Sequence, residues 1–253
     1  MDPNGLRARI LRRETLSGTF VKTPAYEIIE VLAQSGMDFI CIDCEHAAND
    51  RRGMDSSLAM AKALGLPALV RVHEFTPGNV LMALDSGAVG VVVPHVDSAE
   101  KAAAVAKAAH FGHGGRGFAG STRWAGQGSK AMADVLAHDV ETIVLAQIEE
   151  PEGVEALDAI AATDGIDGLF VGPADMSVSL GVNDPAHPDV RAIMKQVGDT
   201  AAKHGKAGVT FVPTTATVPD IKDLGISMFF VGSEHSIMLT EAKKVASDIA
   251  ALN

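Results

Sequence analysis

Short, apolar, β-branched segments alternate eight times with Ala-rich amphipathic ones along this chain, which restricts it to repeated β-α units around a parallel sheet. The strand-like segments lie near residues 17–22, 37–44, 67–73, 89–96, 142–149, 166–171, 206–212 and 227–232. Helix-like segments follow at 24–35, 54–64, 77–85, 98–109, 151–162, 188–204, 217–224 and 239–251. Eight such units predict an α/β fold closed into a (β/α)8 barrel. The helix starts carry the expected chemistry: Pro24, Pro77 and Pro151 suit first turns, and Ser98 with Glu100 suits a capped N-terminus. No linker or shift in composition divides residues 1–253, so a single domain is expected.

A net charge of -11 argues against nucleic acid, because neutralising phosphates needs clustered Lys and Arg. The apolar runs are short and interrupted, which argues against a membrane span. Met1-Asp2-Pro3-Asn4-Gly5 lacks the profile of a signal peptide, and a cytoplasmic protein is expected. Cys41 and Cys44 have C-x-x-C spacing, yet they fall inside a strand-like segment, where an odd separation sends the thiols to opposite faces. Core packing is therefore expected in place of a redox or metal pair.

The stretch from His110 to Ala133 is too long for an ordinary connection. Within it, Gly112-His113-Gly114-Gly115-Arg116-Gly117 satisfies G-x-G-x-x-G by letter, but a helix precedes it where a dinucleotide site needs a strand. His110 and His113 lack partners at metal-ligand spacing.

A barrel of this kind keeps its chemistry at the C-terminal ends of the strands, so the residues closing each strand are informative. The second closes with Asp43-Cys44-Glu45-His46, the third carries Arg71 and His73, and the fourth closes with Pro94-His95. The fifth gives Gln147 and Glu149, which share one face by strand parity; the sixth leads to Gly172-Pro173-Ala174-Asp175. Helix capping by Glu150 or Asp175 is the alternative for those acids taken singly. Arg71 interrupts an apolar strand and must be paired or face a polar cavity. An ion pair with Asp43 or Glu45 and a cation aimed at an anionic substrate are both open, and compatible. Glu149 and Asp175, taken as metal ligands, favour a divalent ion such as Mg, Mn or Co over a structural zinc. They leave about four of six octahedral positions, two of which a 2-oxo acid fills by chelation.

Asp43-Cys44-Glu45-His46, Arg71, Leu84-Asp85-Ser86-Gly87-Ala88, Val93-Pro94, Arg116-Gly117, Gln147-Ile148-Glu149 and Gly172-Pro173-Ala174-Asp175-Met176-Ser177 together resemble the HpcH/HpaI family of metal-dependent pyruvate aldolases. The resemblance covers nearly the whole chain. It implies reversible aldol cleavage of 4-hydroxy-2-oxo acids to pyruvate and an aldehyde, on a barrel that forms a hexamer with its C-terminal helix exchanged between subunits. It implies Glu149 and Asp175 as ligands of a divalent ion (Mg, Mn or Co, with Zn as an alternative). Gln147 and Gly172, Pro173, Ala174 and Asp175 become pyruvate contacts, His46 the base and Arg71 the enolate stabiliser. Asp85 matches the acid that raises the basicity of the histidine, although barrel geometry puts it far from His46 of its own subunit, so a neighbour would supply it. The chain departs from the family pattern at Cys44, where Gly is frequent, and at His110 to Gly115, which replaces a Pro-rich lead-in. Phe20, Phe118, Trp124 and Val212 are the aldehyde-pocket candidates. Two rival functions remain: a lyase or isomerase acting on a CoA thioester or phosphoenolpyruvate-type substrate, and a non-catalytic oligomeric binding protein.

Overall fold

The computed structural model describes residues 5–252; residues 1–4, which enter the signal-peptide expectation, and residue 253 lie outside them. Eight strands form a closed barrel in sequence order: β1 Leu16–Val21, β2 Phe39–Asp43, β3 Ala68–Arg71, β4 Gly90–Val93, β5 Ile143–Ile148, β6 Gly168–Val171, β7 Ala207–Val212 and β8 Ile226–Ser233. Every neighbouring pair is parallel, and β8 closes on β1. The helices are α1 Leu6–Leu11, α2 Tyr26–Leu32, α3 Arg51–Ala63, α4 Pro77–Asp85, α5 Ala99–Ala109, α6 Met132–Ala137, α7 Pro151–Glu155, α8 Leu157–Ala161, α9 Pro173–Ser179, α10 Pro188–Lys203, α11 Val218–Lys222 and α12 Glu234–Ala250.

Strand parity sorts the core into two layers. Leu16, Phe20, Phe39, Cys41, Leu69, Val92, Leu145, Phe170, Val209 and Phe230 fill the barrel, while Ile40, Ile42, Val70, Val91, Val93, Ala146, Leu169 and Val171 face the surrounding helices. The interior is crowded enough that a Cβ at Gly18 would lie 2.4 Å from the Phe39 ring. Cys41 belongs to the inner layer and Cys44 packs on the outer one, so strand parity separates the thiols as expected. Burial pushes the Cys41 thiol up, and the Cys44 thiol up to about 11, so neither has the depressed pKa of a redox nucleophile.

Three helices lie outside the expected set. In α1, Ile10 is fully buried with the barrel interior and Leu6 packs beside it; their i, i+4 spacing is the signal for this helix. α6 begins at the end of the long segment after α5, and α9 follows β6 directly. The expected helix at 151–162 is instead two, because Ala156 between α7 and α8 leaves helical dihedrals. The last helix begins earlier than expected, at Glu234, with a reciprocal capping box between Ser233 and Ser236. Glu234 is its one buried residue; its carboxylate accepts the backbone N–H groups of Lys22 and Thr23, which ties α12 to the end of β1. Beyond that tie, α12 exposes Ile237, Met238, Leu239, Val245 and Ile249.

The 110–133 segment is ordered around one buried cation. The Arg116 guanidinium lies 4.6 Å from the Phe111 ring centroid and 4.8 Å from that of Trp124, and it donates to Asp85 at 2.6 Å. Its side chain is 0% exposed, and burial lowers its pKa against the pull of Asp85. His110 is held by Asp139 at 3.1 Å, and His113 is exposed. Gly112 to Gly117 follows helix α5, with no strand before it, as expected of a sequence that is no dinucleotide fingerprint.

Candidate active site

Asp43 and Arg71 are register partners at the ends of β2 and β3, which puts their side chains side by side. Arg71 donates from Nε to Asp43 Oδ1 at 3.0 Å and from Nη2 to Asp43 Oδ2 at 2.8 Å, and its Nη1 stands 3.2 Å from Glu45 Oε2. Asp43 is fully buried. Burial works to raise its pKa, but the Arg71 hydrogen bonds outweigh that and hold the carboxyl below the usual range. Asp43 Oδ1 also accepts the N–H groups of Glu45 and His46, which fixes the turn that presents the His46 side chain. A guanidinium carries five N–H donors; two hydrogen-bond to Asp43, so three remain, on the side where Nη1 also faces Glu45. Arg71 also lies 4.4 Å over the Phe20 ring, which keeps the fork flat against the barrel wall.

The β5 end brings Gln147 and Glu149 to one face, as parity requires, and both are buried. Gln147 Nε2 donates to Glu149 Oε2, and Gln147 Oε1 is buried with no hydrogen-bond partner. Such an acceptor costs about 1–3 kcal/mol unless a ligand's donor meets it. On the other side, Glu149 Oε1 accepts the backbone N–H of His95 at 2.8 Å and lies 3.1 Å from His95 Nδ1. Asp175 is in the first turn of α9, whose N-cap is Gly172. A Cβ at Gly172 would stand 3.3 Å from Glu149 Oε2 and 3.5 Å from Asp175 Oδ2, so the absence of a side chain leaves the space between the two carboxylates open.

A cavity of about 350 Å³ at this end of the barrel is lined by Phe20, Lys22, His46, Arg71, Gln147, Phe170, Gly172, Pro173, Ala174, Asp175, Phe211, Pro213, Gly232, Ser233 and Ser236. That volume suits a small organic ligand. The cavity thus brings together His46, Arg71, Gln147, Phe20 and the Gly172 to Asp175 turn from five different strands. Part of its wall is aromatic: the Phe20 ring lies 6.4 Å from that of Phe170 and 6.2 Å from that of Phe211 between centroids.

Other sequence candidates lie elsewhere in this chain. Phe118 is 39% exposed in the 110–133 segment and stacks edge-on against Phe111. Trp124 packs with Ala125 and Val135 and borders a separate cavity with Leu6, Pro67, Val89 and Ile143, at the N-terminal end of the strands. Val212 belongs to the outer core; its neighbour Phe211 takes the inward position, one step away in strand parity. These three therefore do not line the cavity of their own chain. Asp85 ends α4, on the approach to the start of β4, and pairs with Arg116.

Several cavity residues have no role assigned from the sequence. Lys22 lines the cavity with Nζ 3.6 Å from Asp43 Oδ2, and Ser233 and Ser236 reach it through the capping box of α12. Glu45 and His95 were visible as strand endings without an assigned role, yet Glu45, His95 and Glu149 bring ligand atoms within 4.8 Å of one another, a set that can hold a metal ion. Burial pushes the Glu45 carboxyl up; Arg71 opposes the shift and Glu149 adds to it.

The model of the HpcH/HpaI aldolase/citrate lyase family matches residues 16–240. The chain is 32% identical over 254 residues to a hydroxypyruvate/pyruvate aldolase of Paraburkholderia phytofirmans, covering 97% of each chain. It is 32% identical over 247 residues to a 5-keto-4-deoxy-D-glucarate aldolase of Klebsiella pneumoniae, covering 96% of each. A solved HpcH/HpaI aldolase/citrate lyase family protein from Burkholderia cenocepacia superposes with a TM-score of 0.91 at 33% identity, over 97% of this chain and 98% of that one. With the barrel closed and His46, Arg71, Gln147 and Asp175 gathered at the C-terminal ends of its strands, these likenesses identify a carbon–carbon lyase of the aldolase type, a member of the HpcH/HpaI aldolase/citrate lyase family.

Proposed function

We propose that this chain is a metal-dependent aldolase that reversibly cleaves a 4-hydroxy-2-oxo acid into pyruvate, or a closely related 2-oxo acid, and an aldehyde. The observation that carries this reading is the convergence of an Arg71 fork with donors to spare, the Gln147–Glu149 pair and Asp175 on one small cavity with His46 on its lining.

Glu149 and Asp175 suit a divalent ion by the chemistry of their oxygen donors and by the open space at Gly172 between them. When bound, the ion polarises the 2-keto oxygen of the substrate. Gln147 and the first turn of α9, from Gly172 to Asp175, hold the 2-oxo acid, the turn through backbone N–H groups that have no helical partner. In the cleavage direction, His46 accepts the C4 hydroxyl proton, the C3–C4 bond breaks, and its electron pair moves into the enolate of pyruvate. The Arg71 donors not bound to Asp43 face the oxygen on which negative charge develops. Protonation at C3 then gives pyruvate, and the aldehyde half leaves past Phe20, Phe211 and Lys22.

We further infer a homo-oligomer, a hexamer by family resemblance, in which α12 crosses to a neighbour and Asp85 serves the His46 of another subunit. The apolar side chains that α12 leaves exposed support that assembly. A CoA thioester finds less support, because both cavity cations, Arg71 and Lys22, already face Asp43.

The test is to treat the protein with EDTA, add pyruvate and a panel of aldehydes with Mg, Mn, Co or Zn, and follow carbon–carbon bond formation. An ion-dependent aldol product is expected with at least one aldehyde. No product with any pairing would overturn the reading.

A further inference from the structure

The two oxygens of Glu149 face different neighbours. Oε2 is turned toward Gln147 and the Asp175 side of the cavity, and Oε1 is turned toward His95 and Glu45. The second of these surroundings contains a nitrogen donor, which the Glu149/Asp175 pair lacks.

The arrangement around Oε1 is built. His95 has φ 55, a left-handed conformation that costs a residue with a Cβ roughly 1 kcal/mol. Two hydrogen bonds hold it there: its N–H donates to Glu149 Oε1, and its carbonyl accepts from Lys101 Nζ. The ring consequently stands between the two acids, with Nδ1 3.1 Å from Glu149 Oε1 and Nε2 3.7 Å from Glu45 Oε1. Taking one ligand atom from each residue, since a single ring nitrogen serves an ion, Glu45, His95 and Glu149 lie within 4.8 Å of one another, a little wider than the roughly 4.2 Å of opposed donors about 2.1 Å from one ion.

An independent observation points the same way. The Glu45 side chain is 8% exposed; its Oε2 lies 3.2 Å from Arg71 Nη1, and its Oε1 is the oxygen turned toward His95. The cation that reaches it, Arg71, is already committed to Asp43 through two hydrogen bonds. Three buried carboxylates, Asp43, Glu45 and Glu149, thus stand around one guanidinium, and the excess negative charge beside the imidazole is a costly arrangement that a divalent cation relieves.

We propose that Glu45, His95 and Glu149 form a divalent-cation position of their own, adjoining the Glu149/Asp175 position and sharing the Glu149 carboxylate with it. A donor set of one imidazole and two carboxylates favours Mn, Co or Zn over Mg, which prefers oxygen ligands throughout. The inference rests on the metal-dependent reading of the site and adds to it a nitrogen ligand and a second location.

The test uses the full-length protein, stripped with EDTA and loaded with Mn²⁺, read by pulsed electron paramagnetic resonance for ¹⁴N coupling to the ion. Nitrogen coupling is expected in the wild type, in His46→Gln and in Asp175→Asn, and is expected to vanish in His95→Asn. Asparagine is the replacement because it tolerates a positive φ, and the ring it replaces is half exposed, so folding is not at stake. In calorimetric titrations, Co²⁺ or Zn²⁺ affinity is expected to fall at least about tenfold in His95→Asn, while Mg²⁺ affinity moves less than about threefold. Bound Mn²⁺ without nitrogen coupling, or coupling that survives His95→Asn, would overturn the position while leaving the aldolase reading intact. Coupling lost in Asp175→Asn would make the two positions one. Failure of every divalent ion to bind would bring down both readings together.

Discussion

Replacing Arg71 with Ala tests two separable contributions of one side chain. The first is structural: the change removes hydrogen bonds of 3.0 and 2.8 Å and leaves Asp43 fully buried without its cation. Orphaning one member of a buried pair costs about 3–5 kcal/mol. Asp43 keeps the N–H groups of Glu45 and His46, and Lys22 stands 3.6 Å away, so the lower end applies. For a chain of this size, about 3 kcal/mol corresponds to a Tm loss of roughly 6–12 °C. The second contribution is catalytic: losing preorganised donors at the developing enolate should lower kcat by about 10²- to 10³-fold, equivalent to about 2.7–4 kcal/mol. The double variant Asp43→Asn with Arg71→Ala separates them, because the Asp43 charge is then removed with its partner and only the weaker Arg71–Glu45 contact stays broken. It should recover part of the lost Tm while kcat stays low. The assays are calorimetric unfolding and initial rates of aldol cleavage at saturating ion. A kcat for Arg71→Ala within about threefold of wild type, measured well below its Tm, would refute the role given to this residue.

Three further outcomes follow from the geometry. Arg7 of α1 reaches the buried Asp167 at 2.7 Å, and burial still holds the Asp167 carboxyl above the usual range. A raised folded pKa means that stability is greatest below the unfolded value of about 3.9 and declines as pH rises through the folded value. Arg7→Met should therefore cost about 3 kcal/mol at neutral pH and much less near pH 4, as read from denaturant titrations at both; equal losses would contradict the pairing. Arg116→Leu removes the cation between Phe111 and Trp124, so limited proteolysis should cut the 110–133 segment at least tenfold faster, with the barrel strands still protected. A single charge on the exposed stripe of α12, Met238→Glu, should shift the protein to smaller species in light scattering; an unchanged mass would count against exchange of that helix.

The barrel was legible because its code is local. Alternation of period, prolines at first helical turns and polar strand endings each act over a few residues, and the eight strands fall where the alternation puts them. Parity likewise puts Gln147 beside Glu149 and separates Cys41 from Cys44. The aldehyde candidates were harder, because they depend on contacts between distant elements. Val212 and Phe211 differ by one step of parity near the end of β7, and the packing of Trp124 follows from the Arg116 cluster, whose partners span 40 residues. His95 was visible as a strand ending but carried no role for a similar reason: its placement depends on a positive φ and on hydrogen bonds to Glu149 and Lys101, which no spacing rule encodes.

The central claim is that this site turns a 2-oxo acid into its enolate with the help of a divalent ion, before any aldehyde is involved. Proton exchange at the methyl group of pyruvate, followed by NMR in D2O without aldehyde, isolates that step. The account predicts methyl exchange that requires Mg, Mn, Co or Zn, stops with EDTA and is lost in Glu149→Gln. Exchange that proceeds equally in EDTA, or fails to appear with any of the four ions, would contradict it.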